Sequence, residues 1–171
     1  MIRITSIILV IIYGMLYACN QPDKNVGFKE ENWNKRSISL SKKDSLVFGK
    51  TYLAVYSEIF SHSEHTKYGL TAMVSLRNIS DKDSVYILSA DYYNTSGDLL
   101  RRYFQKPIFL RPLETVEIII DEADSGGGTG ANFIFEWKTP KDTPEPFFEG
   151  VMNSTMGQQG LSFTTQGRRI E

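Results

Sequence analysis

The residues most capable of chemistry in this chain lie in Ser125 to Trp137, Ser-Gly-Gly-Gly-Thr-Gly-Ala-Asn-Phe-Ile-Phe-Glu-Trp, a glycine-dense loop running into an aromatic strand. Glycine at this density is wasteful unless the backbone needs positive φ or close approach. The stretch therefore reads as a shaped loop in which backbone N–H groups of Gly127, Gly128, Thr129 and Gly130, with the amide of Asn132, meet either a ligand or a neighbouring strand. It is not a phosphate cradle of the P-loop type, because no Gly-Lys-Ser/Thr follows and it opens a strand where that motif opens a helix. Ser125 lacks the Gly-x-Ser-x-Gly elbow that exposes a nucleophile. A second loop, Gly157-Gln158-Gln159-Gly160, carries two more amides, Gln158 and Gln159, that are expected to converge with the first if both loops bind a ligand or partner.

Other candidates carry less. His62 and His65 are the only histidines and, with Glu58 or Glu64, are weak candidates for a divalent metal. Two histidines without a fixed third ligand are more often exposed loop residues, so no metal site is assigned. Asp121, Glu122 and Asp124 have the hardness for calcium but read first as a solvated acidic loop. Asp91 and Glu136 form a hydrolytic pair only at a separation that sequence does not give. Tyr93 and Tyr103 point outward or lie at a sheet edge, as a platform for sugar or peptide or simply as cover for sheet faces. No catalytic residue is assigned and no cofactor is expected.

The elements that must position these residues are short strands. From Thr51 onward, apolar residues alternate with polar ones and turn residues recur about every ten positions. Leu70, Ala72, Val74 and Leu76 define one inward face, Tyr86, Leu88, Ala90 and Tyr92 a second, Val116, Ile118 and Ile120 a third, and Phe133, Phe135 and Trp137 a fourth. Asn94-Thr95-Ser96-Gly97 is a hairpin loop with glycine at a left-handed position. Pro107 and Pro112 confine Ile108 to Leu110 to an edge. Val151 to Met156 and Leu161 to Thr165 supply the last strands. With no βαβ unit and no sustained helical period, the fold class expected is all-β, an antiparallel immunoglobulin-like β-sandwich.

A chain of 171 residues, 41% hydrophobic and 12% aromatic, suffices for one domain and a tail. Its 19 basic and 20 acidic residues form no cationic stripe, so no nucleic-acid partner is expected. The single cysteine, Cys19, forbids an internal disulfide and closes an export segment: Arg3, the apolar run Ile7 to Ile12, then Leu16-Tyr17-Ala18-Cys19. That run is short for a membrane span. It resembles a lipobox, with Tyr17 at a place the motif gives to a smaller residue, so residues 1–18 are expected to be a signal peptide and Cys19 a lipidated N-terminus. Two or more acyl chains, at about 0.8 kcal/mol per buried CH₂, anchor stably where one does not. Residues 19–50 are read as the lipidated cysteine and a polar tether, and residues 51–171 as the sandwich. Trp33 is the odd residue of the tether, either docked on domain or membrane, or solvated. Asn20 lacks the aspartate that retains enterobacterial lipoproteins at the inner membrane, which places the protein on the outer membrane of a bacterial envelope, facing the periplasm.

Asp91-Tyr92-Tyr93, Gly97, Pro107, Gly127 to Phe133 with Glu136-Trp137, Val151-Met152, Gly157-Gln158-Gln159-Gly160, and Ser162-Phe163-Thr164 with Gly167-Arg168 together resemble the bacterial family known as domain of unknown function 3124, small exported proteins or lipoproteins. The resemblance covers about Thr51 to Ile170. It implies the extent of the fold and export, and carries over no catalytic residue. The expected function is a non-enzymatic binding module, held on the membrane by acyl chains and taking a protein or small-molecule partner. A metal-assisted or carboxylate-based hydrolase and a purely structural envelope protein are the alternatives.

Overall fold

The computed structural model describes residues 31–41, 45–155 and 160–171. Cys19, Gln158 and Gln159 lie outside them. Residues 31–171 form one compact unit with its own core. A short helix, α1 (Trp33–Arg36), precedes twelve strands: β1 (Leu46–Val55), β2 (Glu58–Ser61), β3 (Ser63–Gly69), β4 (Thr71–Arg77), β5 (Val85–Tyr93), β6 (Leu99–Arg102), β7 (Ile108–Leu110), β8 (Thr115–Ile120), β9 (Ala131–Pro140), β10 (Phe147–Ser154), β11 (Leu161–Gln166) and β12 (Arg168–Arg169). Every pairing between them is antiparallel. One sheet runs β12-β1-β9-β5-β6 with β7 also on β5, the other runs β11-β10-β4-β8, and β2 with β3 forms a separate two-stranded arm.

The two main sheets meet face to face because each has one apolar face to bury. In β9, buried and half-buried residues alternate along the whole strand, with Phe133, Phe135 and Trp137 inward. Tyr92 stacks on Phe133 at 4.9 Å, Phe133 on Phe135 at 5.3 Å, and Phe135 crosses to Phe148 of the opposite sheet at 4.1 Å. This aromatic ladder joins the two sheets across the core. The Trp137 indole donates to the Thr51 hydroxyl at 2.9 Å within the buried interior, so the polar handle of the largest core side chain is satisfied.

Two expectations need correction. In β5 the inward residues are Val85, Ile87, Ala90 and Tyr92, not Tyr86 and Leu88, because a bulge between Ile87 and Ser89 shifts the register and reverses the alternation. The ordered domain also begins before residue 51: β1 starts at Leu46, opposite Pro140. Still earlier, Trp33 packs against Phe104 with ring centroids 5.3 Å apart, Ser37 bridges Ile108, and Ile38 donates its N–H to Pro107 at 2.8 Å. This strap covers the open edge of β7, where unpaired backbone would otherwise face water. Arg36 holds the strap down, bonding Glu31 and Glu114 at 2.8 Å each. Burial alone would weaken the charge on Arg36, but the two carboxylates outweigh it and its pKa rises. Burial likewise works against the Glu114 carboxylate, yet the Arg111 N–H and the Arg36 and Arg111 guanidinium groups hold it below the usual range.

The sandwich has two distinct ends. The lower end gathers the start of β1, the β4–β5 turn and the β7–β8 turn, tied by the Asn78 amide, which donates to the carbonyls of Asp83, Leu110 and Arg111 at 2.8, 3.1 and 2.9 Å. The strap enters at this end, beside Glu114. The upper end gathers the β5–β6 hairpin, the arm, the glycine loop and the flanks of the β10–β11 connection.

Candidate functional site

At the upper end the glycine loop, Ser125–Gly130, coils as a 3-10 turn with Gly128 at φ 73°. Its backbone is gripped by hydroxyl side chains from two other segments. Thr95, in the β5–β6 hairpin, donates to the Gly127 carbonyl through its N–H and its hydroxyl, both at 3.0 Å, and accepts from the Gly130 N–H at 2.9 Å. Ser57 donates to the Gly128 carbonyl through its N–H and its hydroxyl, both at 3.2 Å. At the loop's start Asp124 accepts from the Gly126 N–H at 3.3 Å and is held by Arg101 at 2.9 Å. Much of the loop's hydrogen-bonding capacity is therefore spent inside the fold, and the N–H groups of Gly126 and Gly130 are not open to a ligand.

The glycines answer to what lies beneath them. Gly127 is buried, and a methyl group built on it would overlap the Tyr92 phenol oxygen. One on Gly128 would come within 2.7 Å of the Thr95 hydroxyl. Sequence alone marks the glycines but not Thr95, Ser57 or Tyr92, since a threonine in a turn and a serine after a strand are common. The hairpin itself is as expected: Gly97 sits at φ 87°, and Asn94 Oδ1 accepts from Ser96 and Asp98 at 2.9 and 2.8 Å.

Tyr92 is fully buried and its hydroxyl has no hydrogen-bond partner among the described residues. Desolvation pushes its pKa up to about 12, with the neighbouring Ser57 hydroxyl acting in the opposite direction. That serine's proton is committed to the Gly128 carbonyl and so is not free to stabilise a phenolate. A folded pKa of about 12 against an unfolded value of about 10 means that the neutral phenol's contribution is complete below pH 10 and is lost as pH rises through 12. Wild type is expected to lose about 2–3 kcal/mol more than Tyr92→Phe across that interval. Urea midpoints of the two proteins at about pH 9 and about pH 12 check this; parallel losses would mean that Tyr92 ionises as readily in the folded as in the unfolded chain.

The remaining candidates do not assemble. Asn132 pairs with Ala54 and Tyr93 across β1 and β5, on the outer face of its sheet. Gly160 is exposed at the start of β11, and the pairings of Asn153 with Thr71 and Ser154 with Leu161 bring the second loop's flanks to the upper end. His62 is at the tip of the arm at φ 63°, its ring 6.1 Å from Tyr68, while His65 lies against Glu64 at 3.5 Å. Among the described residues no three His, Cys, Asp or Glu side chains group closely enough to hold a metal ion. Asp121 caps the Ala123 N–H at 2.8 Å. The proposed carboxylate pair is divided: Asp91 takes two bonds from Arg102 at 2.8 and 2.6 Å, and Glu136 pairs with Lys50 at 3.1 Å. Each carboxylate is engaged by its own cation and not by the other.

The sequence matches none of the curated proteins. A crystal structure of Thermotoga maritima 1070 aligns over 70% of this chain and 92% of that chain, with 9% identity and a TM-score of 0.46. The family model described as "Protein of unknown function (DUF3124)" matches residues 49–170, from the middle of β1 to the residue after β12, and the chain belongs to that family.

Proposed function

We propose that this protein is a lipid-anchored, non-catalytic binding module of a bacterial envelope, fixed to the membrane through Cys19 and presenting the upper end of its sandwich to a partner. The observation that carries this reading is the opposition of the two ends. The chain joins the domain at the lower end, through the strap beside Glu114, while the glycine loop, the β5–β6 hairpin and the arm project from the other. Residues 20–30 separate Cys19 from the strap and reach about 40 Å at most even fully extended. The ten residues of β1 alone span about 33 Å. A reach greater than the length of that strand leaves the upper end free to stand clear of the lipid and meet a partner. An outer-membrane address facing the periplasm follows from Asn20 after Cys19.

The supporting chemistry at the upper end is rigidity. Thr95 and Ser57 fix the glycine loop in one shape, so a partner meets a preformed surface and little ordering entropy is lost on binding. Asp91 and Glu136, the two carboxylates that a hydrolase would pair, are each held by a cation of their own. Cys19→Ser is expected to block processing or to move the protein from the membrane to the soluble fraction. Processed protein retained in membranes despite the substitution would overturn the anchor.

A further inference from the structure

Resting on that reading, we infer the chemistry of the partner: the upper end docks a basic amphipathic segment of another protein. Exposed apolar side chains occur at both ends, so they do not decide the matter alone. At the upper end they are Phe60, Leu99, Leu100 and Leu161, exposed by 53, 49, 41 and 41%; Leu100 lies against the glycine loop, where a methyl on Gly126 would sit 3.8 Å from its Cδ1. What sets this end apart is charge. Its segments, residues 56–70, 94–101, 121–130 and the described flanks of the β10–β11 loop, hold six carboxylates against Lys67 and Arg101. Both cations are already spent, Lys67 on Glu58 at 3.1 Å and Arg101 on Asp124 at 2.9 Å. Glu64, Asp98, Asp121 and Glu122 are left with no lysine or arginine among the described residues opposite them.

Exposed apolar side chains and uncompensated carboxylates at the same end fit a segment that alternates leucine-sized and cationic side chains. Opposite charge speeds and orients the encounter, and the apolar anchors supply residence. The same carboxylates are repelled by an anionic lipid surface, which agrees with an upper end that stands clear of the membrane. The lower end is balanced: Asp81, Asp83 and Asp142 there stand among Lys82 and Lys141, and Arg36, Arg77 and Arg111 are each paired with Glu31, Glu114 or Glu149.

The test uses the polypeptide from Asn20 to Glu171, which contains the whole compact unit, and a fluorescent twelve-residue peptide of alternating lysine and leucine. Anisotropy titration is expected to show saturable one-to-one binding. Phe60→Ser combined with Leu100→Ser, both on exposed positions, is expected to weaken it about tenfold, while Ile79→Ser at the lower end leaves it unchanged. A lysine–serine peptide and a glutamate–leucine peptide are each expected to bind at least about tenfold more weakly. The proposal is overturned by absent or non-saturating binding, by equal loss in Ile79→Ser, or by equal affinity for the lysine–serine peptide. Self-association in sedimentation that Phe60→Ser abolishes would make a second copy the occupant, and adsorption to phosphatidylglycerol vesicles through Phe60 would make it a lipid surface; either outcome overturns it. None of these measurements depends on acylation, so failure of the Cys19 anchor is read separately.

Discussion

Gly49→Ala is expected to destabilise the domain by about 3 kcal/mol, at the upper end of the range for overpacking a core, and most of that cost is expected to vanish in a Trp137→Leu background. Gly49 is buried in β1 opposite Trp137 in β9, and a methyl added to it would overlap the six-membered ring of the indole, with Cε2 at 2.7 Å. The indole has nowhere to move. Its N–H is tied to Thr51 at 2.9 Å, its ring is fully buried, and the Arg169 guanidinium covers it at 5.3 Å. Trp137→Leu alone leaves a cavity and an undonated Thr51 hydroxyl, for a loss of about 3–5 kcal/mol. In that protein the methyl on Gly49 enters space that the indole vacated. A double-mutant cycle measured by urea unfolding is expected to give a coupling of at least about 2 kcal/mol in favour of the pair. Additive losses would mean that the strand, and not the ring, resists the methyl.

This pair also shows which parts of the fold the sequence carries. The alternation of Phe133, Phe135 and Trp137 is legible because β9 itself carries no extra residue and pairs with β1 in one constant register, so period two maps directly onto one face. The same reasoning fails in the first half of β5, where one extra residue at Leu88 reverses the phase and no local residue type announces it. It fails for residues 46–50 because Gly49 contributes no side chain to the pattern and Lys50 points outward to Glu136. The arm is invisible for a different reason: every residue of β3 from Ser63 to Lys67 is exposed, so neither face has an apolar set. Trp33 is decided by Phe104, a tertiary contact made only after the chain has crossed from β6 to β7. An isolated tryptophan in a polar segment carries no information about such a partner.

The candidate site divides in the same way. The glycines of 126–130 are visible as glycines, and the expectation that a backbone must pass close to something is met. The group they pass close to is the phenol of Tyr92, reached from a strand two hairpins earlier in the chain. Spacing cannot reveal that meeting, because it depends on β5 and β9 pairing so that Tyr92 lies opposite Phe133, which places the tyrosine below the loop that precedes β9. Asn132, adjacent in sequence to that loop, is carried by the same strand alternation to the outer face instead.

Gly127→Ala is accordingly expected to be among the most damaging single methyl additions in the protein, costing about 3 kcal/mol, or roughly 10 °C in Tm for a domain of this size. The added carbon would overlap the Tyr92 oxygen and lie 2.8 Å from Ala131 Cβ. Tyr92 cannot retreat, since its ring is stacked on Phe133 at 4.9 Å, so the loop must rise and break the grips of Thr95 and Ser57. Tyr92→Phe removes the overlapping oxygen and, because that hydroxyl lacks a partner among the described residues, is expected by itself to change stability by less than about 1 kcal/mol. In the Tyr92→Phe background Gly127→Ala is expected to cost about half as much, the remainder arising from the ring carbon still 2.9 Å away. Equal costs in both backgrounds would show that the loop yields without involving Tyr92. The two roles of the loop also separate here: Phe60→Ser with Leu100→Ser is expected to weaken peptide binding at unchanged Tm, whereas Gly127→Ala lowers Tm first and binding only through the displaced loop. If Gly127→Ala left Tm unchanged, the glycines would be dispensable to the fold and their reason would have to lie in a ligand that approaches the backbone directly.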